Sequence, residues 1–177
     1  MTEGATTGRE GGLHVLVVGT EAWAMDRAAR ALQHAGHQVA HCPAAEGAGD
    51  GCQVLDGTNC ELDDHLDVVL SVRARPLDRV VRSEYGAVCA LRRGVPLVVA
   101  GSAASSPFAS FAVTDVDLDG NVVAACVSAA ASGPRHLPQA ALDELELLVR
   151  GRAQPLQPVR GQAVADPAPV HRDAVAR

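Results

Sequence analysis

The sequence predicts an α/β fold built on a parallel sheet, and three observations carry that expectation. Apolar, valine-rich runs recur at Leu13 to Val18, Asp67 to Val72 and Val95 to Ala100. Runs of this kind mark strands buried on both faces, as in a parallel sheet. A helical stretch separates the first strand from the next, which makes a β-α-β unit with a right-handed crossover. The chain has 177 residues, 47% of them hydrophobic, enough for one domain with a sizeable core. The expected architecture is a three-layer, Rossmann-like or flavodoxin-like domain whose five-stranded parallel sheet carries helices on both faces.

Each element has its own signal. Leu13 to Val18 is the first strand, ended by Gly19. A helix follows from Glu21 to Ala35, with Ala24, Ala28, Ala31, Leu32 and Ala35 as its apolar stripe and Gly36 as its stop. His37 to His41 reads as the second strand. From Pro43 to Leu66 the pattern fails, so no second crossover helix is expected, and loops this long are functional or disordered. Asp67 to Val72 is the third strand, Arg73 to Arg82 a loop, and Ser83 with Glu84 caps a helix running to Arg93. Gly94 ends that helix, and Val95 to Ala100 is the fourth strand. Gly101 to Ser110 is a small-residue loop and Phe111 to Val116 the fifth strand. Asp119 to Ala131 and a segment from Pro138 through Leu142 to Val149 are the last helices. The expected division is a flexible tail over residues 1–12, one α/β domain over 13–152, and a disordered tail over 153–177, where Pro155, Pro158, Pro167 and Pro169 break any period.

Composition excludes several chemistries. All fifteen basic residues are arginine, so Schiff-base, Walker-type and receiver-type lysine chemistry is absent. A net charge of −6 and 2% aromatic residues argue against a nucleic-acid partner. The N-terminal residues lack the features of a secretory signal, and no apolar run reaches the roughly 18 residues of a membrane span, so a cytoplasmic protein without a membrane partner is expected. The five cysteines are Cys42, Cys52, Cys60, Cys89 and Cys126. They form no C-x-x-C pair, and grouping Cys42, Cys52 and Cys60 with His37, His41 or His65 matches no metal signature. No metal or cofactor is assigned.

Ligands of open parallel sheets bind beyond the carboxyl ends of the strands. That rule selects Gly19, Thr20, Glu21 and Trp23 after the first strand, Arg73 and Arg75 after the third, Tyr85 at the helix start, and Gly101 with Ser102 after the fourth. The arginine pair offers planar forks suited to phosphate or carboxylate, although surface arginines are also common. Trp23, Tyr85, Phe108 and Phe111 all lie on or beside these loops and would plug the upper edge of an alanine- and valine-rich core. Glu21 occupies the position of the second glycine of a dinucleotide fingerprint, where a carboxylate repels the pyrophosphate, so NAD and FAD are not expected. Receiver-type phosphotransfer fails for want of its acidic pair, its aspartate and its lysine.

The segment Asp67-Val-Val-Leu-Ser-Val72, then Ser83-Glu84-Tyr85-Gly86, then Ala90-Leu91-Arg-Arg-Gly94-Val-Pro96 resembles the nucleoside 2-deoxyribosyltransferase-like group of small Rossmann-like proteins. The resemblance spans residues 67–100. It implies that Glu84, matching the family's glutamate in Glu-x-Gly, is a nucleophile at a sugar carbon, a role a carboxylate fills by trapping an oxocarbenium-like centre. The family's acidic partner residue and the Gly-Thr ahead of the glutamate are not found here. Glu84 also has a plain role as an acid in the first turn of a helix.

Two functional expectations follow. One is a catalytically silent Rossmann-like module that binds an unknown protein partner or a small anionic ligand. The other is a small N-glycoside hydrolase or transferase for a nucleoside-like or sugar-phosphate ligand, with Glu84 as nucleophile and Arg73 and Arg75 steering the anionic group. The silent module is preferred because every enzymatic template lacks a required residue; a homodimer would let a partner chain supply one.

Overall fold

A computed structural model of the chain describes residues 11–42, 65–77, 79–102 and 106–150. The expectations for the Pro43 to Leu66 loop, apart from its last two residues, for residues 1–10 of the N-terminal tail and for the whole tail over 153–177 lie outside the described residues. So do Cys52 and Cys60.

The elements run β1 (His14–Gly19), α1 (Ala22–His34), β2 (Gln38–His41), β3 (Val68–Arg73), α2 (Tyr85–Arg92), β4 (Leu97–Gly101), β5 (Thr114–Val116), α3 (Val122–Ala131) and α4 (Gln139–Arg150). They form a five-stranded sheet of order β2-β1-β3-β4-β5 in which every pairing is parallel. This is the flavodoxin-like strand order, whose switch point falls between β1 and β3. Among the described residues no helix is long and apolar enough to cross a membrane.

The central strands are buried because their side chains serve two cores. Val15, Val17, Val68, Leu70, Val72, Val98 and Ala100 join Ala24, Ala28 and Leu32 of α1 and Val122, Cys126 and Ala129 of α3. The alternate residues Leu16, Val18, Val69, Leu97 and Val99 join Ala87, Val88, Ala90 and Leu91 of α2, together with Phe108, Phe111 and Leu145 of α4. Period-two alternation thus sends the side chains of β1, β3 and β4 to both layers. Each fully buried leucine or valine contributes about 1.5–3 kcal/mol of transfer free energy.

Helix ends follow their local chemistry. After α1 the Gly36 N–H donates to the Gln33 carbonyl and the His37 N–H to that of Leu32, with Gly36 at φ +85°. This is a Schellman ending, which only a residue at ease with positive φ completes cheaply. At the other end of the chain, Asn121 Oδ1 accepts from the Ala124 N–H and starts α3.

Several boundaries shift from the sequence expectation. The helix at Ser83 begins instead as a 3-10 turn, Arg82–Glu84, before α2. The strand expected from Phe111 is a 3-10 turn at Ala109–Phe111 followed by only three strand residues, because Phe111 is drawn into the α2-side core. Arg73, expected in a loop, is the last residue of β3, paired in register with Gly101. That one-residue extension decides the chemistry of the sheet's upper edge.

Candidate functional site

Arg73 follows Val69 and Ser71 on the face of β3 that looks toward α2. Glu84 closes the turn that leads into α2. Both side chains are fully buried. The guanidinium meets the carboxylate with both prongs: Nε donates to Oε1 at 2.7 Å and Nη2 to Oε2 at 2.6 Å. This is the bidentate geometry for which arginine's planar fork is preorganised. Oε2 also accepts from the Val81 N–H at 3.0 Å, so both carboxylate oxygens are engaged. Arg73 in turn donates Nη2 to the Arg79 carbonyl at 3.0 Å and Nη1 to that of Leu77. Phe108 lies with its ring centroid 6.0 Å from the guanidinium carbon, within cation–π range. A single side chain therefore pins the β3–α2 connection from inside. The Ser71 hydroxyl, also fully buried, has no hydrogen-bond partner among the described residues and takes no part in this network.

The neighbouring loops are tied in the same way. Ser83 Oγ donates to the Gly19 carbonyl at 2.6 Å, joining the end of β1 to the start of the α2 turn. Glu21 Oε2 accepts from the Ala74 N–H at 3.1 Å and from the Thr20 hydroxyl. The Glu21 carboxylate is thus a strap between the β1 and β3 loops. The Ser102 N–H donates to the Arg73 carbonyl at 3.0 Å. Gly101, at φ +99°, makes that approach feasible: a Cβ there would lie 2.0 Å from the Arg73 carbonyl oxygen.

Gly86 explains the Glu-x-Gly pattern in packing terms. A Cβ at Gly86 would stand 3.1 Å from side-chain atoms of Cys42, Leu16 and Val18. The glycine lets the first turn of α2 press onto β1, and this holds Glu84 against the end of β3.

The structure therefore brings Gly19, Thr20, Glu21, Arg73, Glu84, Gly101 and Ser102 into one set of cross-loop ties. It leaves Arg75 exposed in solvent and Trp23 at 55% exposure on the first turn of α1. Tyr85 is half-buried against the α2-side core, while Phe108 and Phe111 are buried within it. The expected pair of anion-steering arginines is thus divided: Arg73 is enclosed and already matched to a carboxylate, and Arg75 alone meets water. Sequence reasoning chose both Arg73 and Glu84 but not their partnership. The signal lay in the parity of β3, since residues 69, 71 and 73 share the face that α2 covers.

Among the described residues no three His, Cys, Asp or Glu side chains are arranged to hold a metal ion. Cys42, Cys89 and Cys126 are buried thiols. Burial pushes the Cys126 thiol up from 9.0 to about 12, which removes its nucleophilic form at neutral pH.

A second feature lies on the opposite face of the sheet. A cleft of about 130 Å3 opens between α1 and the β5–α3 connection, with Val72 and Ala100 among its lining residues. Arg27 lines this cleft, and its Nη1 pairs at 2.6 Å with Oδ1 of Asp119, which lies in sequence between the lining residues Leu118 and Gly120.

Comparison of the chain with protein-family models, with curated proteins and with solved structures finds no match.

Proposed function

We propose that the chain is a catalytically silent, cytoplasmic Rossmann-like binding module. The observation that carries this reading is the state of Glu84: its carboxylate has no exposure and both its oxygens are held by Arg73. A glycosyl nucleophile needs an open lone pair facing a concave site. The Glu21 strap and the Ser83–Gly19 tie close the same edge further. Trp23 and Arg75 remain exposed beside it, and tryptophan and arginine are the side chains enriched where proteins meet. A protein partner docking on this rim is therefore favoured over a small anion. A reducing compartment accords with the three buried thiols.

The N-glycoside hydrolase or transferase reading requires Arg73 to release Glu84 and the β3–α2 connection to open, and no observation favours that state. The deciding experiment incubates wild type and Glu84→Gln with nucleosides, nucleotides and sugar phosphates, and follows base release by chromatography. The expected result is no turnover by either protein. Turnover by wild type that disappears in a folded Glu84→Gln variant would establish Glu84 as a nucleophile and end the silent-module reading.

A further inference from the structure

The cleft between α1 and the β5–α3 connection has a chemistry of its own. Its apolar walls come from Ala24 and Ala28 of α1, Val72 and Ala100 at the carboxyl ends of β3 and β4, Leu118, and Val122 at the start of α3. The small alanine side chains leave the space. One lining residue is a cation, Arg27, and its ion-pair partner Asp119 stands between the lining residues Leu118 and Gly120 in the chain; their side chains are 53% and 82% exposed. The cleft sits at the carboxyl end of the strands, where open parallel sheets bind ligands.

Size and charge together narrow the occupant. At about 130 Å3 the space is smaller than the roughly 300–1,000 Å3 of sites for drug-sized ligands. It is close to the roughly 150 Å3 cavity that admits a benzene-sized guest. A nucleotide is therefore too large. A simple anion would meet Arg27 but be repelled by Asp119, and a simple cation would meet the reverse conflict. A molecule with both charges satisfies both groups.

We infer that this cleft binds a free α-amino acid with a short aliphatic side chain, such as valine. The α-carboxylate lies on the guanidinium fork of Arg27, the α-ammonium on the carboxylate of Asp119, and the aliphatic group between Ala28 and Val72. The ligand inserts into an existing ion pair and gives each member a new partner of the right sign. Because that pair is exposed, its own contribution to stability is small and opposes insertion little. This goes beyond the binding-module reading and does not depend on it: nucleoside turnover would end the silent reading, whereas the cleft stands or falls on amino-acid binding.

The test is titration calorimetry of the full chain with L-valine, isovalerate, which lacks the ammonium, and isobutylamine, which lacks the carboxylate. The same titrations are made on Arg27→Gln, Asp119→Asn and Ala28→Leu. The two rim substitutions fall on exposed side chains, so these variants keep the fold, as circular dichroism will show. The expected result is saturable L-valine binding that weakens at least tenfold for either analogue and for either rim variant, and is lost when Ala28→Leu fills the cleft. Absence of saturable valine binding to wild type would overturn the inference. So would equal binding of isovalerate, or valine binding indifferent to both rim substitutions.

Discussion

Arg73 and Glu84 stabilise one another only as a pair, because each alone would be a charge sealed from water. Removing one member of a buried pair costs about 3–5 kcal/mol, whereas replacing both by apolar groups is often neutral or better. Glu84→Gln and Arg73→Met are each expected to lower the unfolding free energy by about 3 kcal/mol, and Arg73→Met/Glu84→Leu to recover most of that loss. Urea unfolding of the four proteins measures the cycle; single losses under 1 kcal/mol that simply add would mean the pair is not sealed. A second residue sets a pH limit. The folded chain keeps the Cys126 thiol protonated up to about pH 12, while the unfolded chain releases it from about 9. Above pH 9 the unfolded state therefore binds fewer protons, so stability present below 9 falls as pH rises toward 12, by up to about 1.4 kcal/mol per pH unit. Urea unfolding at pH 8 and 10.5 should show this decline in wild type and a flatter one in Cys126→Ala.

At the scale of elements, the parts legible in the sequence are those whose local pattern and tertiary role agree. β1 and β4 read as apolar runs and are buried, and α1 shows its alanine and leucine stripe and its glycine stop. The site was half legible: both halves of the ion pair were singled out, but a one-residue error at the end of β3 placed Arg73 in a loop and hid which face it occupies. Phe111 misled in the opposite way, since an aromatic before Val113 reads as strand until the core claims it from a turn. The glycines allow a quantitative check. Gly36 and Gly101 both have positive φ, but a Cβ at Gly36 meets nothing within 4 Å, whereas one at Gly101 overlaps the Arg73 carbonyl. Gly36→Ala should therefore cost only the conformational strain, about 1–2 kcal/mol. Gly101→Ala should cost clearly more, because β4 must also move off the end of β3. Equal changes in melting temperature for the two variants would show that the β3–β4 junction is looser than this geometry.

Across the whole molecule, the parallel sheet and its two helical layers follow from buried strands joined by crossovers, but the covering of the β4–β5 side does not. Among the described residues the β4–β5 connection contains only a 3-10 turn, and Leu145 of α4 is buried in the α2-side core beside Phe108 and Phe111. Nothing in the periodicity of the last helix says which face it covers, because that choice depends on a vacancy left by a distant connection. The resulting burial is uneven. β3 and β4 have neighbours on both edges and helices on both faces, and residues 68–73 and 97–100 are buried throughout. β2 and β5 are sheet edges, four and three residues long, without a fully buried residue in either. Opening an edge strand exposes little apolar surface and breaks one ladder, whereas opening β3 unmakes both cores. Native-state hydrogen exchange should accordingly find the slowest amides in β3 and β4, exchanging only with global unfolding, and those of β2 and β5 exchanging about a hundredfold faster through local opening. Equal protection in β2 and β3 would mean that the β2 edge is held by something beyond the described residues, and the molecule would then have to be treated as one cooperative unit out to its rim.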